Sequence, residues 1–523
     1  MHQKIKDLIK SVVSSTRDLD IEIPKNEKYG DYSTNIAMIT SKLNKTSPAD
    51  TANELVSALK RAKDAGMFES IEATTQGFIN FRVSSKTLQK NLSDIMKRGE
   101  RYGRLNSGRN KKVLLEFVSA NPTGPLHIGH GRWAVIGDCL ANILKANGYR
   151  VDKEFYVNDV GEQIEKLVSS VNARMNGKDI PEGGYAGRYV ADLADELKGK
   201  KRIKEEILRI LLAQQKETLN ELGVNYDRWF YESELHKKHL VNKCIKQLED
   251  RGLTFYEGRT LWFKSSEYGD DKNRVLIKED GQPTYFAADI AYHVNKYSRG
   301  YDRIINVWGT DHHGYVARLK AAVTALGYPV EKLAIIIGQL VALYRGKELV
   351  RMSKRTGEMI TLQEVMDEIG VPAVRYFLVR NSPSTHLDFD LELAKSRSLE
   401  NPVYYVSYAH ARICSILNEA KKAGLAPGQE DLGLLREEPE RKLMVKLLRF
   451  EDEVENSAKF MQPHRLTSYA ESLAQIFHNY YHQHRVISDD KDMSRARLAL
   501  AKSVSIVLKN VLKLLGITAP EHM

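Results

Sequence analysis

The sequence predicts an α/β protein with a parallel sheet at its centre, an α+β domain before it and an all-α domain after it. Three observations carry this. From Lys111 to about Glu400, strand-like apolar runs alternate with amphipathic helical patterns: Val113 to Val118, Ile128 to Ala146, Val151 to Tyr156, Ile304 to Val307 and Tyr315 to Leu326. Such alternation calls for a parallel sheet covered by helices, with ligands at the carboxyl ends of its strands. Before it, helical patterns (Ile5 to Val13, Ala49 to Ala62) mix with short strand patterns (Glu69 to Ala73, Phe78 to Val83), and beyond Glu400 only the helical period persists. A chain of 523 residues is also too long for a single core.

The elements follow in order. A stretch rich in Gly and charge, Arg101 to Lys112, closes the first domain, and the run Val113 to Val118 opens the sheet. Pro122 and Pro125 cannot sit inside a central strand or a helix, so Ser119 to Leu126 is a connection. The apolar period then resumes with Ile128, Trp133, Ile136, Leu140 and Ile143, which puts His127 and His130 at the mouth of a helix. Unpaired N–H groups and the positive dipole end already make an anion site there, to which two imidazoles add donors, while Gly129 leaves room for a base or ribose. About Asp159 to Asp271 reads as a charged, mostly helical insertion hanging off the sheet. Gly309 to Gly314, after Ile304 to Val307, repeats the strand, turn and helix-start arrangement, with Asp311 placed either to cap the helix or to meet a ligand. Arg351-Met352-Ser353-Lys354-Arg355-Thr356-Gly357 follows the apolar run Leu333 to Tyr344. Alone it is an ordinary solvated charge run; beside a phosphate site, Lys354 can swing onto the β- and γ-phosphates. Leu425 to Glu440 reads as a loop within the last domain.

Composition narrows the classes. The formal net charge of +11 favours a polyanionic partner without choosing among RNA, DNA and a membrane surface. Cys139, Cys244 and Cys414 lie far apart with no C-x-x-C spacing, which argues against a zinc or disulfide framework and fits a reducing cytoplasm. His478 and His482 share a helix face near His484, but Tyr480, Tyr481 and Arg485 around them point to packing or RNA contact rather than a metal. No apolar run reaches the length of a membrane span, and Met1 to Asp7 lacks a signal-peptide core.

Taken together, the His127-Ile128-Gly129-His130 and Met352-Ser353-Lys354 segments resemble the paired signatures of class I aminoacyl-tRNA synthetases. Arg351 stands where lysine is common and Arg355 replaces a serine; Lys354 is retained. Glu116 to Pro122 and Thr284-Tyr285-Phe286-Ala287-Ala288-Asp289 resemble arginyl-tRNA synthetases in particular. Carboxylates from two segments suit a guanidinium group, for which a carboxylate is the planar bidentate partner. Tyr29 to Met38 with Gly77 to Phe81, and Asn401 to Ile413, resemble that family's N-terminal and helical domains. The resemblance implies a tRNA-binding domain over 1–106, a Rossmann-like catalytic domain over 107–400 with its insertion at about 159–271, and an anticodon-binding domain over 401–523. It implies an arginine–tRNA ligase acting on L-arginine, tRNA(Arg) and ATP, with Mg2+ as co-substrate; a monomer is expected, though nothing in the residues decides the oligomeric state. In that reading His127, Gly129, His130, Gly309, Asp311, Met352, Ser353 and Lys354 bind ATP, and His127, His130 and Lys354 stabilise charge. Asp289, Tyr285 and Glu116 hold the guanidinium, and Asn121 and Ser119, beside His127, hold the amino-acid end. The family needs tRNA before it activates arginine; whether Lys354 relaxes that need here stays open.

Other readings compete. Gly129-His130-Gly131-Arg132-Trp133-Ala134, with Asp152 and Glu154 downstream, also satisfies the dinucleotide-binding pattern of a dehydrogenase, although its glycines should form the turn directly after the strand. An inactive tRNA-binding paralogue would bind tRNA without turning over ATP. A class I synthetase for another amino acid would be separated by competition among amino acids.

Overall fold

The computed structural model describes residues 1–13, 19–350, 360–429 and 431–523. At its centre lies a five-stranded sheet in the order Leu333–Gly338, Arg303–Gly309, Lys112–Phe117, Arg150–Val157, Arg228–Tyr231. All four pairings are parallel. Lys112–Phe117 is buried at every residue but the first, as its unbroken apolar run requires of a strand covered on both faces. From it the chain proceeds outward in one direction and later returns on the other side. The crevice between the carboxyl ends of Lys112–Phe117 and Arg303–Gly309 is therefore the switch point at which such sheets bind ligands. Helix Ile128–Ala146 spans the range its apolar period predicts and is buried nearly all round. It packs against the sheet and against Val371–Val379.

The N-terminal domain is a four-stranded antiparallel sheet, in the order Ile21–Glu22, Tyr32–Thr34, Ile79–Val83, Phe68–Ala73, with helices His2–Lys10 and Pro48–Arg61. Ser47 caps the latter, with Pro48 in its first turn. The C-terminal part is a helical bundle that includes Pro402–Lys422, Glu438–Leu448, His464–Gln483 and Lys491–Leu514. The N-terminal domain docks on this bundle: Arg441 grips Asp31 at 2.8 and 3.1 Å, and Tyr32 Oη donates to the buried Asp452 at 2.9 Å.

One expectation changes and one alternative is decided. The segment 159–271 is not one appendage. Helices Glu162–Met175, Arg188–Glu196 and Ile203–Glu221 share a small core of their own, but Arg228–Tyr231 returns to the central sheet as its edge strand. Its aromatic residues Trp229 and Phe230 sit in a four-residue run too short to stand out among charges. Tyr480, left between packing and RNA contact by the sequence, packs in the bundle at 1 % exposure. A half-buried aromatic group lies on the same bundle, Tyr404 stacked 6.2 Å from Tyr408, with the Arg412 guanidinium 4.5 Å from the Tyr481 ring.

Candidate active site

A cavity of about 1570 Å³ opens over the switch point. Its first wall is the start of helix Ile128–Ala146. His127 is the N-cap residue: its Nδ1 accepts from the backbone N–H groups of Gly129 and His130 at 3.1 and 3.4 Å. His130 Nδ1 in turn accepts from His127 N at 3.3 Å. The rings stack 3.7 Å apart. This reciprocal cap uses Nδ1 of both imidazoles as acceptor, so in the neutral form both carry the proton on Nε2, the tautomer that donates to a phosphate oxygen. A side chain on Gly129 would press on the His127 ring at 3.0 Å. Gly131 lies inside the helix, where a Cβ would strike Leu362 at 2.7 Å. The two glycines thus serve a capped helix and a close helix contact, and no glycine turn of the dehydrogenase kind is formed.

Met352, Ser353 and Lys354 lie outside the described residues. The chain that follows them comes to the same place: Thr361 bridges to His127, and Leu362 N donates to Leu126 O at 2.8 Å. Gly309 and the exposed Asp311 line the cavity opposite. Asp311 lies within the short turn Thr310–His312 and makes no capping bond.

Val118 and Ser119 both adopt left-handed backbone conformations, with φ of 70° and 44°. For a β-branched residue this costs about 1–3 kcal/mol and persists only where the surroundings impose it. Several bonds impose it here. Ser119 Oγ donates to Glu116 at 2.8 Å and accepts from Tyr156 N at 3.1 Å. Tyr226 Oη donates to Phe117 O at 3.2 Å. Glu116 does not line the cavity: its carboxylate is buried against Lys296, and Lys296 donates to Asn306 at 2.8 Å. Asn306 meets His293 Nε2 at 2.8 Å, and His293 Nδ1 meets Asp289 O at 2.8 Å. Burial holds His293 far below its ordinary pKa, so it is neutral, with Nδ1 as donor and Nε2 as acceptor. Glu116 thus braces the strained turn and ties it to helix Tyr285–Ser298, a task its place at the end of a strand could not reveal.

The helical insertion grips the next turn. Gln215 Nε2 donates to Asn121 O and Gly124 O at 3.2 and 3.0 Å, and Tyr189 Oη donates to Thr123 O at 2.8 Å. Asn121 Nδ2 donates to Gln163 at 2.8 Å, on the rim of the cavity.

The remaining wall is acidic. Tyr285 and Asp289 lie one turn apart on one face of their helix, whose N-cap is Thr284. Burial, then the Glu232 and Glu116 charges, push the Asp289 carboxyl well above the ordinary carboxylate range. Glu232 is likewise raised, chiefly by burial. The Tyr285 hydroxyl is raised first by the Asp289 charge, and the Tyr156 hydroxyl by burial and by Glu232 and Asp289. Glu232 and Tyr285 line the cavity, while Asp289 and the buried Tyr156 lie behind that wall, near enough for their charges and hydroxyls to bear on one another. Glu232 is the residue that sequence reading missed. It follows the edge strand directly, at the carboxyl end where such folds place ligands, and the signal was lost with that strand.

Comparison with known proteins accords with this geometry. Residues 1–83 match the arginyl tRNA synthetase N-terminal domain, residues 91–183 and 174–383 the class I (R) tRNA synthetase catalytic domain, and residues 406–523 the DALR anticodon-binding domain. An arginine–tRNA ligase of Desulforudis audaxviator is 45 % identical over 96 % of this chain and 93 % of its own. One of Caldanaerobacter subterraneus is 43 % identical over 100 % and 99 %. The solved Thermus thermophilus arginyl-tRNA synthetase superposes with a TM-score of 0.80 at 24 % identity, each chain covered in full. With three successive domain matches and relatives this similar over almost their whole length, the chain belongs to the arginyl-tRNA synthetase family of class I.

Proposed function

We infer that this enzyme activates L-arginine with ATP to arginyl-adenylate and transfers the arginine to the terminal adenosine of tRNA(Arg), releasing pyrophosphate and AMP. The observation that carries the amino-acid choice is the acidic cluster of Glu232 and Tyr285 on the cavity wall with Asp289 and Tyr156 close behind, whose raised carboxyls would ionise around a bound guanidinium. A neutral amino acid would leave two carboxyls buried without a counter-charge, and an acidic one would be repelled. Lysine offers the charge but not the planar fork. Asn121, with the backbone of the Val118–Ser119 turn, faces the α-amino and carboxylate end.

ATP enters as its magnesium complex, a substrate species, with its phosphates at the N-terminus of helix Ile128–Ala146 and its ribose toward Gly309 and Asp311. The arginine carboxylate attacks the α-phosphorus in line. The Nε2–H groups of His127 and His130, with the helix dipole, stabilise charge developing on the phosphoryl oxygens, and Lys354 meets the departing pyrophosphate. Catalysis is then positioning plus preorganised electrostatics. The 2′-hydroxyl of the terminal adenosine next attacks the adenylate carbonyl and AMP leaves. The Tyr404, Tyr408, Arg412 and Tyr481 group suits splayed anticodon bases, since aromatic and guanidinium faces stack on them.

The test is exchange of labelled pyrophosphate into ATP, with and without tRNA, with lysine, glutamate and cysteine as rivals. Exchange with arginine alone among the amino acids is expected. No exchange with any of them, tRNA present, would leave an RNA-binding relative as the better account. Dependence on tRNA would report a site assembled only on binding.

A further inference from the structure

Arg132 stands in the second turn of helix Ile128–Ala146 and is fully buried. Among the described residues its guanidinium meets no carboxylate and is held by backbone carbonyls instead. One Nη atom donates to Gln339 O and Leu340 O at 2.8 and 3.4 Å, the other to Ser382 O and Thr385 O at 2.9 and 2.8 Å. All four Nη hydrogens are used in this way, while Nε is buried without a hydrogen-bond partner. Burial, with no negative group to oppose it, lowers the Arg132 pKa to about 10. The group is still a cation at neutral pH.

The four carbonyls mark a definite place. Gln339 and Leu340 lead into strand Val341–Arg345, and Ser382 and Thr385 stand ahead of strand Leu387–Asp390, with which the first strand pairs in parallel. One planar fork thus ties the entries of two neighbouring strands to the helix that begins at His127. The first strand leads in sequence to Lys354, and the chain returns at Thr361 and Leu362, which meet His127 and Leu126. Both described ends of this segment are therefore fastened to the start of one helix. The turn also borders the active cavity: Leu340 and Trp133 line it, and Arg132 does not. Gly338, in register with Gly309, lies so close to Trp133 that a side chain there would overlap the ring.

We propose that Arg132 is a positioning residue for adenylate formation: it keeps the turn Gln339–Leu340, and the strand that leads from it toward Lys354, in register with the helix that presents His127 and His130. The proposal rests on the reading of that helix start and Lys354 as the phosphate site. A tie between strand entries alone would be made at lower cost by a neutral amide, since a buried charge without a counter-charge is disfavoured. A planar fork can span two segments at once, whereas an ammonium gathers its three donors on one atom. The charge that no carboxylate cancels also sits one turn from the helix start, where it adds to the helix dipole facing the phosphoryl oxygens.

The test is a double-mutant cycle on the full chain, Arg132→Lys with Lys354→Ala, read by arginine-dependent pyrophosphate exchange with tRNA present. Rates are expressed per site that binds arginine in calorimetry, so that unfolded protein does not count. Arg132→Lys is expected to lower the kcat of exchange by about tenfold to a hundredfold, the cost of misplacing reacting groups by about 1 Å, while arginine affinity stays within about twofold. In the Lys354→Ala background the same change should cost less than about threefold, because the group it positions is gone. Effects that multiply would mean that Arg132 acts independently of Lys354 and would overturn the proposal. So would an unchanged kcat per binding site accompanied only by a lower unfolding midpoint. Should Arg132→Lys not fold, the cycle is run with Arg132→Gln, which keeps an amide donor for one of the two segments; a chain that folds with neither makes Arg132 a structural staple and overturns the proposal as well. If the unaltered chain supports no exchange, the functional reading fails and this one with it. Exchange in the unaltered chain with multiplying effects in the cycle overturns this assignment alone.

Discussion

The two ends of the active cavity are built in opposite ways. The end proposed for the phosphates is local: four consecutive residues, His127 to His130, form a reciprocal cap that supplies N–H groups, dipole and two imidazoles at once. The end proposed for the guanidinium is assembled at a distance, with Tyr156 and Glu232 near the ends of two sheet strands and Tyr285 and Asp289 on one helix. A local cap forms as soon as its helix does. The acidic cluster exists only when the sheet has closed, and the buried Lys296 near it is already paired with Glu116. On the proposed reading the first end should be stable without its ligand, whereas the second should be stabilised by its ligand.

The largest effect that would test this contrast is on arginine binding. Asp289→Asn removes one partner of a desolvated charge pair, worth about 2–5 kcal/mol, so arginine affinity should fall by up to about a thousandfold, as measured by calorimetry with arginine alone. The same variant should leave the arginine-free protein as stable as before or more so, because it deletes a carboxyl that burial disfavours. A loss of stability with affinity intact would refute the picture of an unsatisfied acidic cluster.

Next in size is the link between the ends. Lys296 is fully buried and joins Glu116, and through it the strained Val118–Ser119 turn, to Asn306 and His293 beneath Asp289. Lys296→Met leaves a buried carboxylate unpaired, at a cost of about 3–5 kcal/mol. Thermal unfolding should shift down by several degrees, and adding Glu116→Gln should restore part of the loss. An additive double variant would mean that the pair does not act as a unit.

At the phosphate end, His130→Ala or Lys354→Ala should lower turnover on the order of a hundredfold while arginine affinity changes little. Pyrophosphate exchange at saturating arginine separates the two. Near-normal turnover in both variants would remove the charge-stabilising role from this end.

What could be read from the sequence follows the same division. The helix Ile128–Ala146, its two histidines, the parallel sheet and the three-part organisation were legible because a period of 3.6, two prolines and a strand-length apolar run are properties of neighbouring residues. Asp289 and Tyr285 were reached only through resemblance. Glu232 was not reached, because the strand that presents it has four residues and lies inside a charged stretch. Glu116 was legible as a carboxylate at a strand end, but its partner Lys296 is 180 residues away, and nothing local distinguishes a carboxylate facing a cavity from one facing a buried lysine. Tyr480 was left between packing and RNA contact, since helical spacing does not say which face a bundle will cover.

The smallest expected effect concerns protons. Asp289 and Glu232 have pKa values raised in the folded, arginine-free protein. A carboxyl raised on folding binds more protons in the native state than in the unfolded one, so stability falls as pH climbs from the ordinary carboxylate range toward the raised values and is unaffected below it. Bound arginine reverses the preference, because its guanidinium favours the ionised carboxylates. Binding should therefore release protons at pH values near the raised pKa values, and arginine affinity should increase with pH across that window. Calorimetric titrations in buffers of different ionisation enthalpy measure the proton count directly. Release from the unaltered protein that is reduced in Asp289→Asn would place the titration in the acidic cluster. An equal count in the two would move the proton to another group and leave the cluster ionised, contrary to a site that gains its charge only when its cation arrives.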